Sequence, residues 1–228
     1  MNNACTLTRL ETRKNALGTT RLVAAPDDGA LQSGEVLMKI GRFALTTNNI
    51  TYAAFGDAVM KYWQFFPTDD ADWGHMPVWG FADVAASNVE GVAVGERFYG
   101  YFPIASHLRM RPVRVTARGF YDGAAHRSEL VSAYNQYMRC SSDAGYVAAL
   151  EDYQMLVRPL FITSFMLAIS CRTTASSARS RWWCPAHRAR PHSARPSVSA
   201  GARACNSSPR LRRAIAPSWR GWIATTAR

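Results

Sequence analysis

The charged residues divide this chain into two unlike parts, and this division constrains the fold more than any single motif does. Residues 1–170 carry 15 Lys or Arg and 16 Asp or Glu, whereas residues 171–228 carry 12 Arg and no Lys, Asp or Glu. The first part has enough Val, Leu, Phe, Tyr and Trp to bury a domain core. Arginines without counter-charges cannot be buried. We therefore expect a folded body followed by a largely disordered basic C-terminal tail.

Short apolar segments separated by turn residues predict that the body is mainly β. A turn into a short helix is predicted over 46–55, and helical spacing predicts helices over 128–137 and 143–157. The second of these would place Tyr146, Leu150, Tyr153 and Val157 on one face. The fold class is therefore α+β, mainly β: a small, partly open barrel with flanking helices. Its strands are predicted over 22–24, 35–45, 78–86, 97–102 and 108–115, with shorter pieces at Val92 and Val94.

The sequence contains few signals for a cellular compartment or for membrane insertion. The longest uncharged apolar stretch in the body, around residues 159–167, is shorter than the ~20 residues that a membrane span needs. Residues 1–15 show no apolar stretch followed by a small-residue cleavage site. The five cysteines are odd in number and have no CxxC spacing, so reduced thiols are expected. We expect a cytoplasmic protein without a membrane partner; its oligomeric state is left open.

Several segments resemble known oxidoreductases. Residues 33–40 (SGEVLMKI), residues 80–87 (GFADVAAS) and residues 92–100 (VAVGERFYG) resemble strands and a turn of medium-chain dehydrogenase/reductases. Residues 48–52, 62–67 and 158–161 resemble more closely a bacterial family of uncharacterised proteins, of a domain of unknown function, related to those reductases. The resemblance covers about residues 20–167. It implies a GroES-like substrate domain over residues 1–127 and a helical connector over 128–167 toward a Rossmann domain.

Positions that bind zinc in the zinc-dependent reductases carry other residues here. The turn after the first strand reads Thr46-Thr47 where the metal enzymes have a ligand Cys, and residues 80–82 read Gly-Phe-Ala in place of Gly-His-Glu. A zinc site needs three or four ligands. His75, His107 and His126 are not at ligand spacing, so surface or core positions are favoured for them. The resemblance therefore implies a zinc-independent, quinone-reductase-like protein, and no metal site is predicted.

The resemblance also assigns candidate site residues. Tyr52 and Asn49 are the catalytic candidates, as hydrogen-bond donors to a substrate carbonyl oxygen. Alternatives remain for these positions: the asparagine suits a turn, Thr163 could cap a helix, and an aromatic run more often packs a core. A substrate pocket for a small carbonyl or quinone-like molecule is assigned to Tyr62, Trp63, Phe65 and Thr163.

Residues 168–228, the tail, admit two interpretations. Arg could neutralise phosphates while Trp182, Trp183, Trp219 or Trp222 stack on bases, giving nonspecific nucleic-acid binding. Alternatively, the tail is an out-of-frame translation of a GC-rich gene. The codons of Trp182-Trp183-Cys184 fix the bases TGG TGG TG, and a shifted frame over residues 181–199 can then encode a strand, a small-residue loop and a helix start. We favour this frameshift, and thus a chain truncated before its nucleotide-binding half.

Cofactor and function follow from that interpretation. No GxGxxG occurs in the 228 residues, so no cofactor is expected in this chain, and NAD(P)H is expected only for an intact full-length relative. The leading hypothesis is the N-terminal substrate-domain half of a zinc-independent NAD(P)H-dependent oxidoreductase, inactive as this chain. The alternatives are a nucleic-acid-binding protein acting through its Arg/Trp tail and a non-enzymatic small-ligand-binding module.

Overall fold

A computed structural model describes residues 5–27, 30–58 and 60–176, with side chains except at residues 5, 162, 163 and 166–176. The fold is mainly β with two α-helices, α1 (Thr47–Ala54) and α2 (Glu151–Ser176), which confirms the predicted α+β, mainly β class. The strands are β1 (Cys5–Arg13), β2 (Ala16–Asp27), β3 (Val36–Ala44), β4 (Trp73–Gly74), β5 (Pro77–Ser87), β6 (Arg97–Pro103), β7 (His107–Met110), β8 (Pro112–Thr116), β9 (Gly119–Asp122) and β10 (Gln136–Arg139). Short 3-10 helices lie at Tyr62–Phe65, Ala125–Arg127, Ser132–Tyr134, Cys140–Ser142 and Ala148–Leu150.

Two antiparallel sheets form the body. Seven strands in the order β7-β3-β5-β6-β10-β9-β8 curl into a half-barrel, as expected for a partly open barrel. The second sheet, in the order β2-β1-β4, is built on the long β1–β2 hairpin. Hydrogen bonds connect the hairpin to the half-barrel: the backbone N of Leu10 donates to the Ile104 carbonyl over 2.8 Å, and that of Ser106 donates to the Thr8 carbonyl over 2.7 Å.

The central strands bury both of their faces. On β6, Phe98 and Phe102 point into the half-barrel, whereas Tyr99 and Tyr101 point to the opposite side and pack beneath the helices. Val36 and Met38 of β3 lie in the interior with Ile40 packed beside them, as the alternation of that segment predicted. Successive residues of a strand point to opposite faces. A strand covered on both sides therefore needs large apolar residues in succession, as in Phe98-Tyr99 and Tyr101-Phe102.

The strand predictions succeed where apolar alternation is strong. Residues 35–45, 78–86 and 97–102 coincide with β3, β5 and β6, and the short helix predicted over 46–55 is α1. The segment predicted at 22–24 is the middle of the much longer β2, and β1 and β9 were not predicted. Val92 and Val94 were predicted as strand and lie instead in the turn between β5 and β6. β1 mixes Thr, Arg and Glu with its apolar residues, so it lacks the apolar alternation that predicts a strand. It is held in place by pairing with β2.

The helix predicted over 128–137 is wrong. This segment forms the 3-10 turn Ser132–Tyr134 and enters β10, which pairs with both β6 and β9. The side-chain amide of Asn135 donates to the Arg127 carbonyl over 3.0 Å, and the Asn135 carbonyl accepts from the backbone N of Asp122 over 2.9 Å. These contacts with neighbouring segments override the helical spacing of Tyr134 and Tyr137.

The helix predicted over 143–157 begins at Glu151 and rests on a different face from the one predicted. Tyr153 and Val157 are exposed, whereas Glu151, Met155 and Arg158 are buried. Arg97 of β6 donates from Nε and Nη2 to the two carboxylate oxygens of Glu151 over 2.6 and 2.8 Å. The Arg158 guanidinium pairs with Asp143 over 2.6 Å. These ion pairs, together with Met155, occupy the face that α2 turns to the sheet.

The end of α2 overlaps the predicted tail. The helix continues through Ser176, past residue 168, where we placed the start of the disordered segment. The rest of the tail, including its four tryptophans, lies outside the described residues. Among the residues that are described, no helix is long and apolar enough to cross a lipid bilayer.

Candidate functional site

The candidate Asn49 lies buried in α1, where its side-chain amide is held by the protein. Its Oδ1 accepts hydrogen bonds from the backbone N and the hydroxyl of Thr46 over 2.6 and 3.1 Å, and its Nδ2 donates to the Pro77 carbonyl over 2.8 Å. The bond to the Thr46 backbone is half of a capping box at the start of α1. These contacts fit the turn interpretation of Asn49 better than a catalytic one.

The candidate Tyr52 lies one turn further along α1, within a group of aromatic rings. Its ring centroid is 4.6 Å from that of Tyr62 and 5.8 Å from that of Tyr101. Burial raises the pKa of the Tyr52 hydroxyl above its ordinary value of 10.0, and the Trp79 side chain offsets part of that rise. Tyr52 therefore keeps its proton at neutral pH and lies beside the Trp79 indole.

The space beside Tyr52 is very small. A cavity of about 10 Å³ opens between α1, the Trp79 indole and one face of α2, where Met155, Leu156 and Pro159 cover it. A cavity of about 10–15 Å³ is the smallest that can hold one water molecule. This space can therefore admit a substrate only if α2 moves away from the sheet.

The aromatic run that was assigned to a substrate pocket packs within the core. Tyr62, Trp63 and Phe65 are buried, and Phe65 meets Tyr101 edge-to-face at 5.5 Å between centroids. The Trp63 ring lies so close to Gly74 that a Cβ there would be 2.5 Å from a ring carbon. This burial supports the core alternative for the run, and Phe65 additionally borders the larger cavity described below. Thr163 is within α2, but its side chain lies outside the described residues.

A larger cavity, which the sequence did not reveal, lies between the β1–β2 hairpin and the half-barrel. Its volume is about 210 Å³. The lining comes from separate parts of the chain: β1, β2, residues 65–67, His75 just after β4, residues 103–109 from the end of β6 into β7, and residues 122–127 from the end of β9. More than half of its lining residues are apolar, and three arginines and His75, His107 and His126 supply most of the rest. No local spacing connects these histidines, which explains why sequence analysis missed them as a group.

Ion pairs, one of them fully buried, neutralise the arginines of the larger cavity. Arg127 is buried and places Nη1 3.1 Å from the Asp122 carboxylate, while its Nε donates to the Phe65 carbonyl over 3.0 Å. Arg9 lies 3.3 Å from Glu11, and Arg109 pairs with Asp27. Burial lowers the pKa of His75 below its ordinary value of 6.5. The cavity wall therefore carries little net charge at neutral pH.

The described part of the chain offers no assembled metal site. Within residues 5–27, 30–58 and 60–176, no three His, Cys, Asp or Glu side chains come together as ligands for one ion. Each of the three histidines of the larger cavity is bound to a protein oxygen: His75 to the Leu10 carbonyl, His107 to the Ser106 hydroxyl and His126 to the Phe65 carbonyl.

Comparison with known proteins gives a family and no function. No curated protein matches the chain. One family model, described as "Protein of unknown function (DUF2855)", matches residues 43–202, which is more than half of the 228 residues. The matched range covers the segment from the end of β3 through α1, the half-barrel and α2, and it continues into the Arg-rich tail. The uncharacterised family expected from the sequence is thus confirmed, and this chain belongs to the DUF2855 family.

Proposed function

We propose that this chain is the substrate-side half of a zinc-independent reductase-like protein of GroES-like type, and that by itself it binds a small carbonyl compound without reducing it. One observation supports the proposal most. The three motifs that resemble medium-chain reductases lie mainly on β3, β5 and the start of β6, three consecutive neighbours of the half-barrel. Separately each motif is weak, but their adjacency in one sheet is what a shared substrate domain requires.

In this proposal, Tyr52 contacts the substrate. Its hydroxyl keeps its proton because burial raises its pKa, so it can donate a hydrogen bond to a carbonyl oxygen. The Trp79 side chain lies beside this hydroxyl. A neutral donor placed against an oxygen stabilises negative charge that develops there. The proposal leaves Asn49 the supporting role of holding α1 in place.

A nicotinamide does not fit the site as it stands. The space beside Tyr52, about 10 Å³, admits neither a nicotinamide ring nor an aryl ketone unless α2 moves, and the sequence in addition has no glycine-rich loop to hold a pyrophosphate. NAD(P)H therefore belongs to an intact full-length relative in this proposal, and no hydride transfer is assigned to this chain.

Two titrations of the purified chain test the proposal. Acetophenone, an unreactive aryl ketone, should give saturable NMR shifts around α1 and Trp79 that weaken in Tyr52→Phe and persist in Tyr121→Phe, a change on β9. NADPH at micromolar concentration should produce no binding signal. Tight NADPH binding would refute the cofactor part of the proposal. Acetophenone binding that is absent, or unchanged by Tyr52→Phe, would refute the substrate part.

The tail supports a second candidate function. Its 12 Arg without an acidic residue would attract phosphates. Nucleic-acid binding through the tail predicts that the affinity for random duplex DNA falls steeply with salt, by a log–log slope of about −0.9 per phosphate contact.

The frameshift hypothesis instead concerns the gene, and sequencing the codons for residues 165–172 tests it. The family match extends to residue 202, whereas a frameshift near residue 168 predicts a match that ends there, so this test is needed.

A further inference from the structure

The larger cavity has the size of a site for a single-ring molecule. Its volume of about 210 Å³ exceeds the roughly 150 Å³ of an engineered protein cavity that binds benzene. It is smaller than the roughly 300–1,000 Å³ of sites for drug-sized ligands. The side chains of Phe65, Phe66 and Pro103 form flat, apolar parts of the cavity wall, and such surfaces pack well against another ring. Size and wall chemistry thus favour a small cyclic, mainly apolar occupant.

The charges of the wall disfavour an ionised occupant. Each arginine at the cavity already pairs with a carboxylate: Arg9 with Glu11, Arg109 with Asp27, and Arg127 with Asp122. An anionic ligand would have to compete with these carboxylates, and a cationic ligand would lie against the guanidinium groups. An uncharged molecule avoids both penalties, since it leaves the three pairs intact.

His75 offers this cavity an unused hydrogen-bond acceptor. Its Nδ1 lies 3.1 Å from the Leu10 carbonyl oxygen. Because a carbonyl can only accept, Nδ1 must carry the proton, and in the neutral ring Nε2 then has a free lone pair. The side chain is only 5% exposed, and Nε2 bonds to no described residue. His75 also lines the larger cavity, so this lone pair is a candidate acceptor for an occupant there.

We propose that this cavity binds a small uncharged ring compound carrying a hydroxyl or N–H group, which donates a hydrogen bond to Nε2 of His75. The apolar body of the ligand lies against the aromatic and proline wall, and its one donor group satisfies the buried acceptor. Recognition therefore depends on two features, a ring of the right size and a single neutral donor. This site is separate from the Tyr52 region and does not depend on the function proposed there.

Three probes separate these features in NMR titrations of the full chain. Phenol has the ring and the donor, anisole has the ring without the donor, and benzoate has the ring with a negative charge. Phenol should saturate with a dissociation constant on the order of 1 mM, as expected for so few atoms. Anisole should bind about 3- to 10-fold more weakly, the effect of one lost neutral hydrogen bond. Benzoate should bind more weakly than phenol.

Variants locate the binding. Ala124→Leu fills the cavity from the segment after β9 and should abolish phenol binding, whereas the matched change Ala117→Leu at the exposed β8–β9 turn should leave it unchanged. His75→Asn keeps an amide donor near the position of Nδ1, for the Leu10 carbonyl, but removes the Nε2 acceptor. In this variant phenol should bind no better than anisole.

Several outcomes would overturn the proposal. Benzoate binding tighter than phenol would mean that the arginines are available to anions. Equal affinity for phenol and anisole in the unaltered chain would remove the role of His75. The proposal also fails if phenol binding survives Ala124→Leu, or if phenol at about tenfold the expected dissociation constant gives no shift. Unfolding curves of both variants ensure that a lost signal reflects a lost site and not a lost fold.

Discussion

The buried pair Arg127–Asp122 gives the sharpest stability prediction. The Arg127 and Asp122 side chains are 1% and 4% exposed, and Nη1 lies 3.1 Å from Oδ2. Arg127 also donates to the Phe65 carbonyl and to the Tyr137 hydroxyl, over 3.0 and 3.1 Å, and its guanidinium lies 4.4 Å from the centre of the Phe66 ring. The side chain thus joins the segment after β9 to the aromatic run and to β10.

Replacing this arginine should be strongly destabilising. Arg127→Met keeps most of the side-chain volume but leaves the Asp122 carboxylate buried without its counter-charge. Two backbone N–H groups, of Arg111 and Ala124, still donate to Asp122 over 3.3 and 3.1 Å, which limits the loss. Breaking one side of a buried ion pair lowers the free energy of unfolding by about 3–5 kcal/mol. For a chain of this length that lowers the melting temperature by about 6–20 °C.

Thermal unfolding followed by circular dichroism measures the effect, with two comparison variants. Arg42→Met removes an arginine whose main partner is Asp152, with side chains 55% and 75% exposed, and which reaches the Glu151 carboxylate only at 3.9 Å. Because Glu151 keeps its closer pair with Arg97, the change should lower the unfolding free energy by at most about 1 kcal/mol. Adding Asp122→Asn to Arg127→Met removes the unpaired charge and should restore part of the stability. The reasoning is refuted if Arg127→Met is no worse than Arg42→Met, or if the double variant is no more stable than Arg127→Met.

Three further predictions address the backbone, a thiol and the pH dependence. Gly119 has a φ of +137°, and a Cβ there would lie 1.9 Å from the Tyr137 carbonyl oxygen, whereas Gly95 has a φ of +86° and open space around it. In urea titrations, Gly119→Ala should therefore lower the unfolding free energy by about 2–5 kcal/mol, and Gly95→Ala by only about 1–2 kcal/mol. Burial raises the pKa of the Cys140 thiol to about 12, so peptide mass spectrometry should find Cys140 alkylated by iodoacetamide at pH 8 only in urea; labelling of the folded chain would contradict this. Burial lowers the pKa of His75 below 6.5, and a backbone N–H of Gln32 holds that of Glu35 below 4.5. The unfolded chain then binds more protons, so urea midpoints should fall as the pH drops below about 6.5 and again below about 4.5, and a flat profile would contradict this.

Local pattern predicted much of the half-barrel. In residues 35–45, 78–86 and 97–102, neighbouring side chains already specify a strand, because alternation and flanking turns act over a few residues. The charge boundary near residue 170 is also a property of the sequence alone. The resemblance to reductases selected Tyr52 and Asn49, and both lie on α1 beside the start of α2, although the sequence could not tell that α2 covers them.

Tertiary structure decided the features that depend on distant partners. Residues 136–139 became a strand because β6 and β9 lay on either side, and α2 turned its charged face inward because Arg97 was there to meet Glu151. The cavity that contains His75 exists only where the β1–β2 hairpin closes over the half-barrel. Local spacing reports which side chains share a face of one element. It carries no information about which other element will cover that face, and burial, ion pairing and cavities all depend on that second element.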